Sequence, residues 1–265
     1  MMCFEVSLVS KRILCVSRVI LMGTDLLMTE SEKMLESVVR EFVDAEVKPR
    51  ARIRDEEEDC PKEIWHGMAR LGLQGLGVDS IYGGSEGTTR HMVIAVEGVS
   101  RGDAAAAVSL LAHRSLGVET ILQFGSEEQR AKYLPPAVSG KTILGWALSE
   151  PGSGSDAGSL DTTASLQNGV YYLNGTKTFI TNGSIADSVV VFATTDKKLG
   201  QKGITGFIVD QGSVGFRARK QLGKLGIRGS DTAELTFRGT PIPMENRLGE
   251  EGNGFKYAME ILNSS

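Results

Sequence analysis

The chain has 265 residues, a formal charge of −4 and 41% hydrophobic residues, which leaves room for one large domain or two ordinary ones with separate cores. A mildly acidic balance gives no electrostatic footprint for nucleic acid or an anionic membrane surface. Cys3, Cys15 and Cys60 are odd in number and widely spaced, which excludes a CxxC site and fits a reducing compartment, and His66, His91 and His113 lack ligand spacing, so no metal site is expected.

Residues 1–27 mix apolar side chains with Lys11, Arg12 and Arg18. Arg18 interrupts the apolar run, so no span of about 20 apolar residues exists. Glu5 ahead of the basic residues breaks the order of a secretory signal. The stretch 1–28 reads as an extension upstream of a start at Met22 or Met28. Thr29-x-x-Glu32 is a capping box, and Leu35, Val38, Val39, Phe42, Val43 and Val47 then recur at helical spacing until Pro49. Residues 54–59, RDEEED, read as a solvated loop. Pro61 opens a second helix, with Ile64, Trp65, Met68 and Leu71 inward and Gly72 at its end. An irregular glycine-rich stretch follows to Gly87, and residues 88–101 read as a helix. Ala104 to Leu122 is apolar nearly all round, which marks a buried helix or a pair broken at His113–Ser115. Ser126-x-x-Gln129 caps a further helix that is expected to end before Pro135-Pro136.

From Thr142 the pattern changes. Runs rich in Val, Ile, Phe and Thr at 143–148, 160–166, 170–174, 178–181, 188–194, 204–209, 214–219 and 232–237 alternate with turn residues. Asn168-Gly169 is a hairpin signal; Asn174-Gly175 and Asn182-Gly183 are turn signals. The spacing predicts an antiparallel barrel or sandwich. Residues 252–262 return to helix. The fold class is therefore α+β: residues 29–140 a helical unit, 141–245 a β unit, and 246–265 the start of a further helical one.

The chemistry concentrates in residues 141–183. The apolar run Ile143 to Leu148 stops at Ser149-Glu150-Pro151, and Gly152-Ser153-Gly154-Ser155-Asp156 follows. Glycines let a flat ligand or another backbone come close, and the amides and hydroxyls of such a loop face an anion or a heteroaromatic edge. Gly152-x-Gly154-x-x-Ala157 formally fits the dinucleotide fingerprint, but that fingerprint needs a helix at its end, and here GSLDTTA follows without helical period. A plain Gly/Ser turn remains the simpler reading of these five residues alone.

The wider stretch resembles the acyl-CoA dehydrogenase family. Trp146-Ala-Leu-Ser-Glu-Pro-Gly-Ser-Gly-Ser-Asp156 is similar to that family's flavin loop, and Tyr172-Leu-Asn-Gly-Thr-Lys-Thr-Phe-Ile-Thr-Asn-Gly183 to its second flavin contact. Phe124 to Pro135, Lys224 to Thr232 and Arg247 to Phe255 resemble further family stretches, so the resemblance covers nearly everything after residue 28. It implies FAD as cofactor. Trp146, Ala147, Leu148 and Ser149 would lie along the flavin with Gly154 and Ser155, and Phe179, Ile180 and Thr181 would form a second wall. Ser155 would also meet the acyl-CoA substrate, and the Thr181 hydroxyl would sit near flavin N5. In the family a glutamate removes a proton α to the thioester carbonyl and hydride leaves the β carbon for the flavin. That glutamate belongs to the family's carboxy-terminal bundle and maps beyond Ser265, so no catalytic residue is assigned here. The resemblance further implies electron-transfer flavoprotein or a similar acceptor and, at full length, a homo-oligomer (dimer or tetramer); the charge balance and the interrupted apolar run imply no nucleic acid and no membrane span. The implied location is the cytoplasm, or the mitochondrial matrix in a eukaryote.

Other readings stand beside these. Trp146 also suits a core aromatic, and Thr181 a residue that simply holds the turn before Asn182-Gly183. Glu150 invites a general-base reading, against which the family pattern makes it structural. Asp156 suits a brace for its loop, and Arg228 with Asp231 a surface pair. Phe179 stands where many members carry Trp, which puts that indole's part in electron exit in doubt. Alternatives to the dehydrogenase are a related flavoprotein oxidase or monooxygenase and a non-catalytic flavin-fold module.

Overall fold

The computed structural model describes residues 27–59 and 62–264. The extension read at 1–28 lies almost wholly outside them, as do Pro61 and all three cysteines. Helices come first. The Thr29 capping box opens α1 (Glu30–Phe42), with Glu32 N–H donating to the Thr29 hydroxyl and Thr29 N–H to the Glu32 carboxylate. A wide π-turn (Val43–Val47) and a 3₁₀ turn containing Pro49 carry the chain onward into α2 (Ala51–Glu57). Residues 54–57 of the charge run are thus helix, not solvated loop, with Glu58 as a left-handed cap: Arg54 is buried, donates to Asp103 at 2.7 Å and also reaches the Val47 carbonyl. A buried guanidinium needs several acceptors at once, and a helix supplies the fixed geometry. α3 (Lys62–Arg70) ends at Gly72, whose φ of +72° is the left-handed stop expected there. α4 is Thr89–Gly102.

Residues 104–124 form one unbroken helical rod, not a broken pair. α5 (Ala104–Leu111), capped by Asp103, passes through a π-turn at Ala112–Val118 into α6 (Glu119–Phe124). α7 (Glu127–Val138), opened by the Ser126–Gln129 capping box, runs through both prolines where a stop was expected. The prolines lose donors, but Pro135 and Pro136 carbonyls accept from Ser139, Lys141 and Thr142 N–H, and flanking Tyr133, Leu134, Ala137 and Val138 are buried.

The β unit comprises β1 (Leu144–Ala147), β2 (Thr163–Gln167), β3 (Val170–Thr181), β4 (Ser188–Thr194), β5 (Ile204–Asp210), β6 (Phe216–Lys220), β7 (Thr232–Pro243) and β8 (Arg247–Leu248), followed by α8 (Gly254–Ser264). The sheet order is β6-β7-β3-β2-β4-β5-β8, with β1 beside β4. Most of the pairing is antiparallel, as expected, with two parallel exceptions: β1 pairs β4 in parallel, Leu144 opposite Ser188 through Ala147 opposite Val191, and β2 touches β4 in parallel at Thr163 and Thr194. Parallel neighbours need a long crossover, which residues 148–187 provide. The Asn168-Gly169 hairpin forms as expected, both residues at positive φ (+50° and +80°) between β2 and β3. The predicted turn at Asn174-Gly175 is instead a register shift inside the continuous strand β3, with Gly175 (φ +151°) where a Cβ would fall 2.4 Å from the Thr162 hydroxyl.

β4 is buried along its whole length, and its alternate residues serve two cores. Val190 and Phe192 pack with Ile121, Leu134 and Ile208 toward the helices; Val189, Val191 and Ala193 pack with Tyr171, Leu235 and Phe237 inside the sheet. A third core joins the first helices through Val39, Trp65, Met68 and Leu110. His113, with no exposed surface, stands where these meet: Leu144 N–H donates to its Nδ1 at 2.9 Å and the Trp65 ring lies edge-on at 4.8 Å. Burial pushes the His113 pKa down to about 3 from 6.5.

The folded protein therefore refuses a proton that the unfolded chain accepts. The stabilisation is complete above pH 6.5 and is lost as pH falls toward 3. Urea unfolding followed from pH 6.5 to pH 4 should lose roughly 3 kcal/mol through this group. In His113→Asn, whose Oδ1 can still accept from Leu144, that part of the slope should vanish.

Candidate functional site

β1 delivers the first loop and β3 the second. Beyond Ala147 the chain turns at once: Glu150 N–H donates to the Ser153 carbonyl at 2.8 Å and Ser153 N–H returns to Glu150 at 3.1 Å. Ser153 Oγ donates to the Asp156 carbonyl and Ser159 Oγ to the Asp156 carboxylate at 2.6 Å, so Asp156 braces the loop. Among the described residues, nothing beyond their chain neighbours comes within 4 Å of where a Cβ on Gly152 or Gly154 would stand, so that side of the loop is open. The second loop is irregular. The β3–β7 register slips between Lys177 and Ile180, and Phe179 adopts φ +57° with 72% of its surface exposed. Few non-glycine residues take that conformation.

Lys177 joins the two loops. It has no exposed side-chain surface, and its Nζ donates to the Leu148 carbonyl at 2.8 Å and to Glu150 Oε1 at 2.7 Å. The same carboxylate accepts from Asp161 N–H at 2.6 Å and Thr162 N–H at 3.1 Å. Next to it, Thr178 N–H donates to the Ser149 carbonyl at 2.9 Å. Burial pushes the Lys177 ammonium down to about 8, while the upward push of burial on Glu150 is outweighed by Lys177, Thr162 and Asp161, which hold it below its usual value. Glu150 is therefore tied on both oxygens as a structural anion and is not free to act as a base.

Of the residues singled out from sequence, Leu148 and Ser149 come directly against the Lys177–Phe179 segment. Ala147 and Ile180 turn their side chains into the sheet core, and Leu148 into the helix-facing core, so these three offer a ligand only main-chain groups. Trp146 is half-buried against Phe192 at 5.1 Å, and its indole N–H donates to Thr120 Oγ1 at 3.1 Å. The hydroxyls of Ser149, Ser155 and Thr181 make no hydrogen bond to the described chain. Ser155 and Gly154 are exposed in the open turn. Arg228 and Asp231 do not pair with each other: Arg228 bridges to Asp55 at 2.8 Å, and buried Asp231 accepts from Ser184 N–H at 2.8 Å and Ser184 Oγ at 2.5 Å.

Sequence reasoning missed Lys177, Thr120 and the pair Ser109–Asn182. Asn182, buried at φ +61° just after Thr181, donates to the Ser109 carbonyl at 3.0 Å and accepts from its hydroxyl at 2.5 Å. A signal for Lys177 existed. It shares the inward phase of Tyr171 and Leu173 on β3, where a lysine needs a buried partner. Nothing in sequence marked Thr120 or Ser109. No cluster of metal-binding side chains occurs among the described residues.

Comparison with known proteins agrees on one family. Residues 29–141 match the model for the acyl-CoA dehydrogenase N-terminal domain and residues 145–240 that for its middle domain. A Bacillus subtilis protein called acyl-CoA dehydrogenase is 43% identical over 89% of this chain and 62% of its own length. An Acetobacterium woodii protein called caffeyl-CoA reductase-Etf complex subunit CarC is 40% identical over 88% of this chain and 62% of its own. The crystal structure of a glutaryl-CoA dehydrogenase from Mycobacterium smegmatis, in complex with FADH2, superposes with a TM-score of 0.86 at 32% identity, over 92% of this chain and 61% of that one. The chain spans about three fifths of the length of the curated relatives it matches.

Replacing Lys177 by Met leaves the Glu150 carboxylate buried without its countercharge and should cost about 3–5 kcal/mol in urea unfolding. Lys177→Met with Glu150→Gln removes both charges and keeps an acceptor for Asp161 and Thr162, so it should recover most of that loss.

Proposed function

Since the chain belongs to the acyl-CoA dehydrogenase family, we propose that it supplies one wall of an FAD site in an enzyme that dehydrogenates an acyl-CoA thioester between Cα and Cβ. The observation that carries this reading is the pair of loops drawn together by Thr178 N–H, the Ser149 carbonyl and the Lys177 clamp. The donor set fits a flat, polar-edged ring: three hydroxyls that bond no described residue, an open glycine turn and an exposed aromatic side chain. Ser149, Ser155 and Thr181 would hold the cofactor by hydroxyl contacts, Trp146 and Phe179 by their rings, and Ala147, Leu148, Gly154 and Ile180 by main-chain groups. FAD, when bound, takes up the hydride that leaves Cβ. Hydroxyl and amide donors suit such a site because they stabilise an electron-rich ring without adding a nucleophile. Ser155 would also meet the thioester substrate. Glu150 keeps its structural role, and the α proton goes to a glutamate supplied from outside residues 1–265.

Electron-transfer flavoprotein or a similar carrier is the proposed acceptor, a reading supported by the Etf-complex relative. A homo-oligomer working in the cytoplasm or mitochondrial matrix completes the proposal. No helix among the described residues is long and apolar enough to cross a membrane.

Titrating the 265-residue chain with FAD should give weak but saturable quenching of flavin fluorescence, since this wall covers only one face of the ring. Thr181→Val and Ser155→Ala should each weaken it about fivefold, the worth of one hydrogen bond near 1 kcal/mol. A titration without saturation would overturn the reading. Anaerobic bleaching of the flavin by an acyl-CoA, absent in this chain alone, should appear once the external glutamate is supplied.

A further inference from the structure

We infer that Thr120 is the positioning residue for Trp146, so that a helix outside both loops sets the plane of the aromatic ring at the end of β1. The inference rests on the proposed FAD site for its consequence and on the structure alone for its geometry. Thr120 has no exposed surface, and its hydroxyl proton is committed: Oγ1 donates to the Leu116 carbonyl at 2.6 Å. The oxygen's lone pairs are thus aimed outward, and the Trp146 indole N–H donates to them at 3.1 Å. This is the indole's hydrogen bond to the chain. Phe192 touches the ring edge-on at 5.1 Å.

The helix cannot drift from this position. A Cβ on Gly117 would stand 2.6 Å from Leu144 Cβ, so rod and strand approach as closely as a glycine allows. Leu144 N–H is bonded to His113 one turn earlier, and Ser109 at the other end of the rod exchanges two hydrogen bonds with Asn182. Ser109, His113 and Thr120 therefore bind β1 and the end of β3 from one rod. Thr120 is the member of that set that reaches a side chain expected to touch the cofactor.

The test uses the 265-residue chain in three forms, wild type, Thr120→Val and Thr120→Ser, with Thr120→Ala as a second deletion should Val fail to pack. The first readout is the indole ¹H–¹⁵N resonance of Trp146, assigned by its loss in Trp146→Phe. The second is the FAD titration. We expect the resonance to move upfield in Thr120→Val and affinity to fall about fivefold, both restored by Ser, which keeps the hydroxyl. A folded Val or Ala variant with an unmoved indole resonance would overturn the inference. So would a moved resonance with unchanged FAD affinity. If the wild type itself binds no FAD, the proposed cofactor site fails, while the indole resonance still decides whether Thr120 holds the ring.

Discussion

An ammonium group with no access to water sits where the two loops cross, and the local structure is an answer to its charge. Taking such a group out of water costs several kcal/mol, and only a close countercharge and full hydrogen bonding offset it. Glu150 supplies the charge and the Leu148 carbonyl a further acceptor; Glu150 in turn needs donors, which Asp161 and Thr162 provide through their backbones. The end of β1, the approach to β2 and the middle of β3 are thus held in one arrangement. Such a network adds little net stability compared with a well-packed apolar substitute, but it admits few alternatives. The loop main chain on either side inherits that definition.

The rod at 104–124 supplies the second constraint. Its first half packs Ala106, Ala107 and Leu110 into the helical core, and its second half packs Val118 and Ile121 into the core beneath the sheet. Each residue of an α-helix advances about 100° around the axis, so a π-turn, with one residue more than usual, rotates everything after it. The turn at Ala112–Val118 lets one rod present buried faces in two directions. Thr120, placed by that rotation, then reaches across to Trp146 on β1, while Ser109, ahead of the turn, reaches Asn182 at the end of β3.

Much of this was legible because local physics wrote it. Capping boxes at Thr29 and Ser126 need only their own turn, and Asn168-Gly169 needs only its hairpin. Where the sequence misled, a distant contact decided. RDEEED reads as solvent-loving until Asp103 offers Arg54 a partner. Asn174-Gly175 reads as a turn until β7 pairs with both sides of it. The prolines of α7 read as a stop until burial of their neighbours outweighs the lost donors. In the site, the loop residues were visible by motif, but which of them point outward was not. Ala147 and Ile180 face inward because strand alternation and a register slip place them so, and the slip is set by β7. Thr120 and Ser109 were invisible because nothing local distinguishes a threonine or serine in a buried helix from a filler.

Phe179 combines a bulky side chain, a left-handed backbone and wide exposure. Held there, a non-glycine residue costs on the order of 1–3 kcal/mol. The ring recovers little of that by burial, since most of it faces water. Glycine at this position would relax the backbone and sacrifice almost no packing, so a screen that rewards thermal endurance alone would drift toward it. Sturdiness and the aromatic wall are in this sense rivals at one codon, and a lineage that keeps the ring is selecting for something other than a stable fold.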